Sequence, residues 1–185
     1  SVFVFLSMEP IYYPEGEYIV TMPSANIISH QLHLYGAENV LVGGLCLLDH
    51  DSIVRGDLSE IEIGMRCVVG KRTVLRPSSR TFKGGHVFFP LKIGENVFID
   101  DDVIIKCLSI GSNVKIGRNS VISHQCVLSS CCEILPDTVL APGTVVPPFS
   151  VYGGQPGRLV DSLPEGFIEA QAMLVKAHYE RFQPQ

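Results

Sequence analysis

The chain has 185 residues, of which 46% are hydrophobic and 18% are charged, and it carries a formal net charge of -5 with no tryptophan. That length suits one domain with a sizeable core, and the acidic balance gives no electrostatic reason to expect nucleic acid or an anionic membrane as partner. No run approaches the roughly 20 consecutive apolar residues of a membrane-spanning helix.

The N-terminal segment, residues 1–25, is predicted to be an extension outside the repeat that follows. Residues 1–7 are apolar but short, without a basic leader or a plausible cleavage site, so we do not expect a signal peptide. Met8 resembles a natural initiator, and residues 1–7 are interpreted as upstream or non-native sequence. Residues 40–49 and 52–58 are strand-like and keep the later spacing loosely, so we interpret them as opening coils.

A six-residue repeat dominates the chain from Ile63 onward. Its first position is Ile, Leu or Val and its fifth is small or β-branched, and these two positions point the same way in an extended strand. The second position is often Gly and the next two are polar, which is predicted to supply a bend in every unit. A chain that bends every six residues must wind into coils, and stacked coils pair edge to edge as a parallel β-helix.

With three units in each coil, residues eighteen apart should stack. Ile110, Leu128 and Val146 have this spacing, and all three are aliphatic. We therefore predict an all-β solenoid, a parallel β-helix of hexapeptide repeats, over residues 26–158. The predicted core columns are Ile63, Val69, Leu75, Ile93, Ile99, Ile110, Ile116, Ile122, Leu128, Ile134, Leu140, Val146, Cys67, Cys126 and Cys132.

The six cysteines show no spacing typical of a metal site, because no Cys-x-x-Cys pair occurs and Cys131 and Cys132 are adjacent. Cys67, Cys126 and Cys132 occupy the fifth position of their units. We interpret them as small packed side chains rather than redox or metal ligands. A chain of this length needs no disulfide framework, which favours a reducing cytosol.

The repeat fails between residues 77 and 92, where we predict a loop that projects from the coil. Such loops often carry function. His86, Phe88 and Phe89 are the candidate partner-binding residues of this loop. Two interpretations of the phenylalanines stay open: they fold back over the flank of the coil, or they form an exposed aromatic anchor for a partner.

The period changes after the coil, and residues 159–185 are predicted to form a C-terminal helix and tail. Phe167, Ala170, Leu174, Ala177 and Phe182 approximate one helical stripe. We expect this apolar face to pack back along the coil, with a free partner-binding helix as the alternative.

The segment Arg55-Gly-Asp57, followed by Ile61-Glu-Ile-Gly-Met-Arg-Cys-Val, resembles the opening of the γ-class carbonic anhydrase-like hexapeptide proteins. The resemblance implies a left-handed coil with a C-terminal helix, and it makes Arg55 and Asp57 either an intersubunit or an internal pair. The three histidines that hold zinc in that family correspond here to Arg76, Asp101 and Lys106. Two cations and one carboxylate are a poor set of ligands for a dication, so we expect no metal and no cofactor.

A closer resemblance, from about Met8 to Phe182, is to the dynactin subunit 5 family within the same superfamily. It is carried by Arg55-Gly-Asp-Leu, Arg76-Pro, Phe88-Phe-Pro-Leu91, Cys131-Cys-Glu-Ile-Leu, Val145-Val-Pro-Pro-Phe149 and Tyr179-Glu-Arg-Phe. The resemblance implies a non-catalytic scaffold at the pointed end of dynactin. Its expected neighbours are dynactin subunit 6, dynactin subunit 4, the pointed-end actin-related protein and dynein cargo adaptors. The implied location is the cytoplasm and cytoskeleton, with the kinetochore as a further site.

Two enzymatic alternatives remain beside the scaffold interpretation. One is a hexapeptide acyltransferase in which His86 acts as general base. The other is a γ-carbonic anhydrase-like zinc enzyme, which the residues at the ligand positions disfavour.

Overall fold

The computed structural model describes residues 8–185, which form twenty-five short strands, one 3-10 helix and one α-helix. The strands are β1 Ile11–Tyr13, β2 Tyr18–Val20, β3 Ile27–Ser29, β4 His33–Tyr35, β5 Val40–Val42, β6 Leu47–Leu48, β7 Ile53–Arg55, β8 Ile61–Ile63, β9 Val68–Val69, β10 Val74–Leu75, β11 Ser78–Phe82, β12 Gly85–Phe89, β13 Leu91–Ile93, β14 Phe98–Ile99, β15 Ile104–Ile105, β16 Ser109–Ile110, β17 Val114–Ile116, β18 Val121–Ile122, β19 Val127–Leu128, β20 Cys132–Ile134, β21 Val139–Leu140, β22 Val145–Val146, β23 Ser150–Gly153, β24 Arg158–Ser162 and β25 Phe182–Pro184. The 3-10 helix is Ala37–Asn39 and helix α1 is Phe167–Glu180. The interpretation of residues 1–7 as upstream sequence lies outside the described residues.

Three sheets form the walls of a parallel β-helix. The first has the strand order β2-β3-β6-β9-β14-β17-β20-β23-β24, the second β4-β7-β10-β15-β18-β21 and the third β5-β8-β13-β16-β19-β22. Each coil contributes one strand to each wall, so strands that pair are distant in sequence. The register places Ile110 opposite Leu128 and Leu128 opposite Val146. The fold-class prediction of a hexapeptide β-helix with a C-terminal helix is confirmed.

The interior of the coil holds the aliphatic first position and the small fifth position of the repeat. Ile99, Ile116 and Ile134 stack on successive coils, and all three are buried. Val114 pairs with Cys132 in the column of small residues. The six cysteines are free and buried. Each buried aliphatic side chain contributes on the order of 1.5–3 kcal/mol, so the repeat supplies its own core.

The corners of the coil depend on the fourth residue of the repeat. Asn96, Asn113 and Asn119 have φ of 53°, 57° and 59°, a left-handed conformation that asparagine tolerates better than most residues. The second-position glycines have another role. A Cβ on Gly94 would lie 2.7 Å from the backbone nitrogen of Ser112 on the next coil. The bend expected at Gly is therefore made two residues later, and Gly is required because neighbouring coils approach closely.

The segment predicted as a projecting loop is an ordered β-hairpin. Strands β11 and β12 pair antiparallel, with Ser78 opposite Phe89 and Phe82 opposite Gly85. Lys83 and Gly84 form the two-residue turn, with φ of 47° and 80°. A two-residue turn with both φ positive matches the right-handed twist of the flanking strands, which explains why the hairpin forms here.

The two termini of the described chain cover one wall of the coil. β1 pairs in parallel with β25, and β2 pairs antiparallel with β3. Helix α1 buries Gln171, Leu174 and Val175. Phe167, Ala170 and Ala177 of the predicted stripe are only partly buried, because the face that contacts the coil is centred on Leu174 and Val175.

Residues Arg158–Ser162 form β24, an antiparallel strand at the edge of the nine-stranded wall, and the helix follows it from Phe167. Helix α1 is fixed to the coil by Gln171, whose side-chain amide donates to the backbone oxygens of Val114 at 2.9 Å and Asn96 at 3.1 Å. Within residues 8–185, no helix has the length and apolar character needed to cross a membrane.

Candidate interaction surfaces

The β11–β12 hairpin is attached to the coil at its base and exposed at its tip. The backbone N–H of Gln125 donates to Ser78 Oγ at 2.9 Å, and the backbone N–H of Ser79 donates to His124 Nδ1 at 3.2 Å. These bonds join the hairpin to a coil more than forty residues further along the chain. The hairpin is therefore held against one flank of the coil rather than attached only at its two ends.

The predicted partner-binding residues of this segment occupy different environments. Phe88 and Phe89 are half-buried at the base, whereas His86 is exposed opposite Thr81. The more exposed apolar side chains are Phe82 and Val87, which the sequence interpretation did not single out. Phe88 and Phe89 are thus neither fully buried nor fully exposed, and both interpretations of their role stay predictions.

Arg55 and Asp57 form an internal pair in this chain. Arg55 Nε and Nη2 each donate to one carboxylate oxygen of Asp57 at 2.9 Å. The guanidinium also lies over the ring of Tyr35, 5.3 Å from its centroid. The hydrogen bonds to Arg55 lower the pKa of the Asp57 carboxyl group.

The three positions that correspond to zinc ligands in the γ-class family lie at two different places on the coil. Arg76 and Lys106 follow Leu75 and Ile105, which pair in the second wall, so they are neighbours on one outer face. Asp101 lies at a corner, where its carboxylate accepts the backbone N–H of Lys71 at 2.8 Å. In the part of the chain from residue 8 onward, no cluster of three or more His, Cys, Asp or Glu could hold a metal ion.

The pKa of His124 is affected by the positive charges of the face that carries Arg76 and Lys106. Its pKa is lowered first by burial and then by the positive charges of Lys106 and Arg76. The imidazole is thus held neutral where it accepts the Ser79 N–H. Arg76 Nε is buried and has no hydrogen-bond acceptor among residues 8–185.

A polar cleft of about 480 Å³ lies between the N-terminal strands, the end of α1 and the first wall. The Tyr18 hydroxyl donates to the buried Asp49 carboxylate at 2.6 Å, and burial together with Asp49 raises the pKa of Tyr18. His50 lies 2.5 Å from Ser29 Oγ through Nδ1 and 3.3 Å from Glu17 through Nε2.

The contacts of His50 with Ser29 and Glu17 have the residue types of a catalytic triad, but Ser29 is not available as a nucleophile. It is 2% exposed, and its oxygen also accepts a backbone N–H from Gln31. The network joins the N-terminal segment to the coil. Sequence analysis missed it because Glu17 and Tyr18 precede the repeat and carry no motif.

The two ends of the coil expose unpaired strands and apolar side chains. At the first-coil end, β4 and β5 are the last strands of their sheets in the described part of the chain, and Leu34, Tyr35 and Leu41 are exposed beside them. At the last-coil end, β21 and β22 are terminal, and Val145 is 61% exposed. Unpaired strand edges with apolar side chains are surfaces that proteins usually cover.

Comparisons with known proteins agree along the whole chain. A family model described as dynactin subunit 5 matches residues 6–185. Dynactin subunit 5 of Dictyostelium discoideum is 47% identical over 179 residues, covering 97% of this chain and 90% of the relative.

Solved structures with the same fold include a hexapeptide transferase family protein from Anaplasma phagocytophilum. It has a TM-score of 0.67 and 18% identity, covering 93% of this chain and 95% of that one. AntD, an N-acyltransferase from Bacillus cereus in complex with dTDP and 3-hydroxybutyryl-CoA, has a TM-score of 0.67 and 13% identity, with 96% of each chain covered. At these identities the two structures indicate a shared fold alone.

Proposed function

The chain belongs to the dynactin subunit 5 family, and from that membership we propose that it is a non-catalytic structural and docking subunit of the dynactin complex. The observation that carries this proposal is the 47% identity to a dynactin subunit 5 over 97% of the chain. A match along the whole length includes the hairpin and the C-terminal helix as well as the repeat. It is therefore more specific than the hexapeptide pattern, which many proteins share.

The first-coil end is the surface that we assign to a neighbouring subunit, with the β-helix subunit dynactin subunit 6 as the proposed occupant. Leu34, Tyr35 and Leu41 are 43%, 50% and 57% exposed there, beside strand edges whose backbone groups have no partner strand among residues 8–185. A second β-helix could continue the walls by pairing with these edges and burying the apolar side chains. Dynactin subunit 4 and the pointed-end actin-related protein are proposed as further neighbours in the same assembly.

The β11–β12 hairpin supports a second docking role, toward dynein cargo adaptors. It projects from a rigid coil, is anchored at its base, and exposes Phe82 and Val87 at its tip. Such an arrangement presents contact residues with little conformational freedom to lose on binding. The proposed location is the cytoplasm and cytoskeleton.

An acyltransferase function is the second candidate, because solved relatives of the fold include acyltransferases. That likeness is at 13% identity and carries no activity with it. His86 is exposed on the hairpin, and within residues 8–185 it makes no side-chain hydrogen bond and no ion pair that would orient it as a base. The geometry favours docking over acyl transfer.

The test is affinity purification of the tagged chain from cells of its own source, with identification of the proteins that accompany it. We expect dynactin subunits, and a purification that recovers none of them would reject the proposal. Leu41→Glu places a charge on the edge strand of the first-coil end and should remove the proposed β-helix neighbour. Val145→Glu is the matched control at the opposite end, where an equally exposed residue receives the same charge.

If Val145→Glu removes the β-helix neighbour and Leu41→Glu does not, the neighbour binds the last-coil end and the proposed assignment to the first-coil end is wrong. Stoichiometric zinc in the purified chain, or acetyl-CoA binding that depends on His86, would support an enzyme instead of a docking subunit.

A further inference from the structure

Some lysines and arginines of this protein form ion pairs with carboxylates, and others do not. On most faces a lysine or arginine stacks near a carboxylate of an adjacent coil, as in Arg66–Glu95 at 2.8 Å and Arg72–Asp102 at 2.6 Å. Seven of the fourteen cations have no carboxylate within 4.0 Å in the region from residue 8 to 185. Three of them lie apart from one another or in the polar cleft: Lys71, Arg181 and Arg158. The other four lie on the hairpin and on the coil positions beside its base; we call Arg76, Arg80, Lys83 and Lys106 the basic flank.

Arg76 and Lys106 are placed directly beside each other by the register of the coil. Val54 pairs with Leu75, and Leu75 pairs with Ile105, so the residues that follow, Arg55, Arg76 and Lys106, occupy one outward column. Adjacent strands are about 4.8 Å apart, and like charges directly opposite each other destabilise a sheet. Asp57 forms an ion pair with Arg55, whereas Arg76 and Lys106 have no carboxylate partner among the described residues.

The environment of Arg76 indicates an acceptor that the chain itself does not provide. Its Nε is buried without a hydrogen-bond partner among the described residues. Neighbouring His124 has its pKa lowered, by burial and by Lys106 and Arg76, and its Nδ1 already accepts the Ser79 N–H, so it provides no carboxylate-like acceptor for Arg76. Arg76 is only half-buried as a residue, so a carboxylate from outside would pair with its guanidinium at the surface and relieve the repulsion with Lys106.

The hairpin adds apolar surface to this positive field. Arg80 lies opposite Val87, and because side chains alternate along a strand, Phe82 lies on the same face of the hairpin. Phe82 is 58% exposed and Val87 45%. Within the described part of the chain the hairpin is a sheet of two strands, so its outer edges have backbone groups that an extended chain could join.

We propose that the basic flank binds an acidic, extended polypeptide segment, with its carboxylates on Arg76, Lys106 and Arg80 and an apolar side chain on Phe82 and Val87. This deepens the docking role of the hairpin and rests on the proposed function. A polypeptide is favoured over a membrane or a nucleic acid for two reasons. The whole chain has a net charge of -5, and the cations stand beside apolar side chains and open strand edges.

The direct test uses the purified chain and a fluorescein-labelled nonapeptide of alternating glutamate and leucine, with fluorescence anisotropy as the readout. Lys106→Gln and Arg80→Gln should each weaken binding roughly three- to tenfold, the range expected for losing one solvent-exposed hydrogen bond. Lys115→Gln is the matched control: it removes the same charge from another wall, where Lys115 pairs with Glu133 at 3.4 Å. The control should change the affinity less than about twofold.

Equal losses in the control and the flank variants would reduce the effect to net charge and overturn the proposal. No binding by the unmodified chain would overturn it too. So would tighter, Lys106-dependent binding to phosphatidylserine vesicles or to single-stranded RNA, because the flank would then serve a different class of ligand. Circular dichroism of each variant checks that the coil is intact.

The proposed function is tested separately by the same variants. Lys106→Gln leaves both coil ends unchanged, so the tagged variant should recover dynactin subunits as the unmodified chain does. Failure of the unmodified chain to recover them rejects membership of the assembly. Recovery of the subunits together with unchanged peptide affinity in Lys106→Gln rejects the basic flank alone.

Discussion

Truncation of Ile116 tests the inward column on which the coil depends. Ile116 is fully buried between Ile99 and Ile134 of the adjacent coils. Ile116→Ala removes three carbon atoms, which at about 0.8 kcal/mol each gives roughly 2.4 kcal/mol of lost transfer free energy. The cavity that remains adds to this, so the free energy of unfolding should fall by about 2–5 kcal/mol. For a chain of this size that corresponds to a decrease of roughly 5–15 °C in Tm.

Thermal unfolding followed by circular dichroism measures this decrease. Val145→Ala is the matched control: Val145 is 61% exposed on a terminal strand, and its truncation should change stability by less than about 0.5 kcal/mol. Ile116→Asp extends the series, because an unpaired carboxylate in the coil interior should prevent folding. A Tm for Ile116→Ala equal to that of the control, or a soluble Ile116→Asp with unchanged Tm, would refute the inward placement of the column.

Three further outcomes follow from other contacts. Gly94→Ala should lower the free energy of unfolding by about 1–3 kcal/mol in denaturant titrations, because its Cβ would meet the backbone of Ser112; a neutral effect would contradict the close approach of the coils. Gln171→Ala leaves two backbone oxygens of the coil without their donor and should speed hydrogen exchange in α1 before the coil, at a cost of about 1–3 kcal/mol; uniform exchange would contradict local release. Burial lowers the pKa of His178 in the folded chain, so the unfolded chain takes up a proton first as the pH falls, and stability should decline below about pH 6.5. His178→Gln should flatten that decline, and an unchanged slope would exclude His178 as its source.

The sequence predicts the later coils well because their repeat is regular. Lys115 pairs with Glu133, eighteen residues on, as the three-unit coil requires. In the early coils the intervals are longer: Leu47 pairs with Val68, and Val68 pairs with Phe98. The second interval is long because the hairpin is inserted in that coil. Inward aliphatic residues continue across these insertions, which explains why the core could be predicted where the exact spacing could not.

The hairpin has a local sequence signal that is independent of the six-residue repeat. Lys83-Gly84 is a two-residue turn flanked by alternating residues, a pattern typical of β-hairpins. The polar cleft had no such signal. Tyr18 and Asp49 are 31 residues apart and meet only because β2 folds back on β3, so their contact depends on tertiary structure. The basic flank lies between these cases, since Arg55, Arg76 and Lys106 each follow an inward aliphatic residue and the column is visible once the strands are paired.

The outward column carries charges that the core of the coil does not need. The resemblance to the γ-class family places metal-ligand positions at Arg76 and Lys106, while the inward residues beside them, Leu75 and Ile105, remain fully buried aliphatics. Cations at those positions add nothing to the core and repel each other, so the isolated chain is less stable than it would be with neutral residues there. Lys106→Gln should therefore raise the free energy of unfolding of the isolated chain by about 0.2–1 kcal/mol in denaturant titrations, while it weakens binding of the acidic peptide. Opposite signs for stability and affinity would mark the flank as a binding surface, whereas a loss of both would mean that Lys106 serves the coil itself.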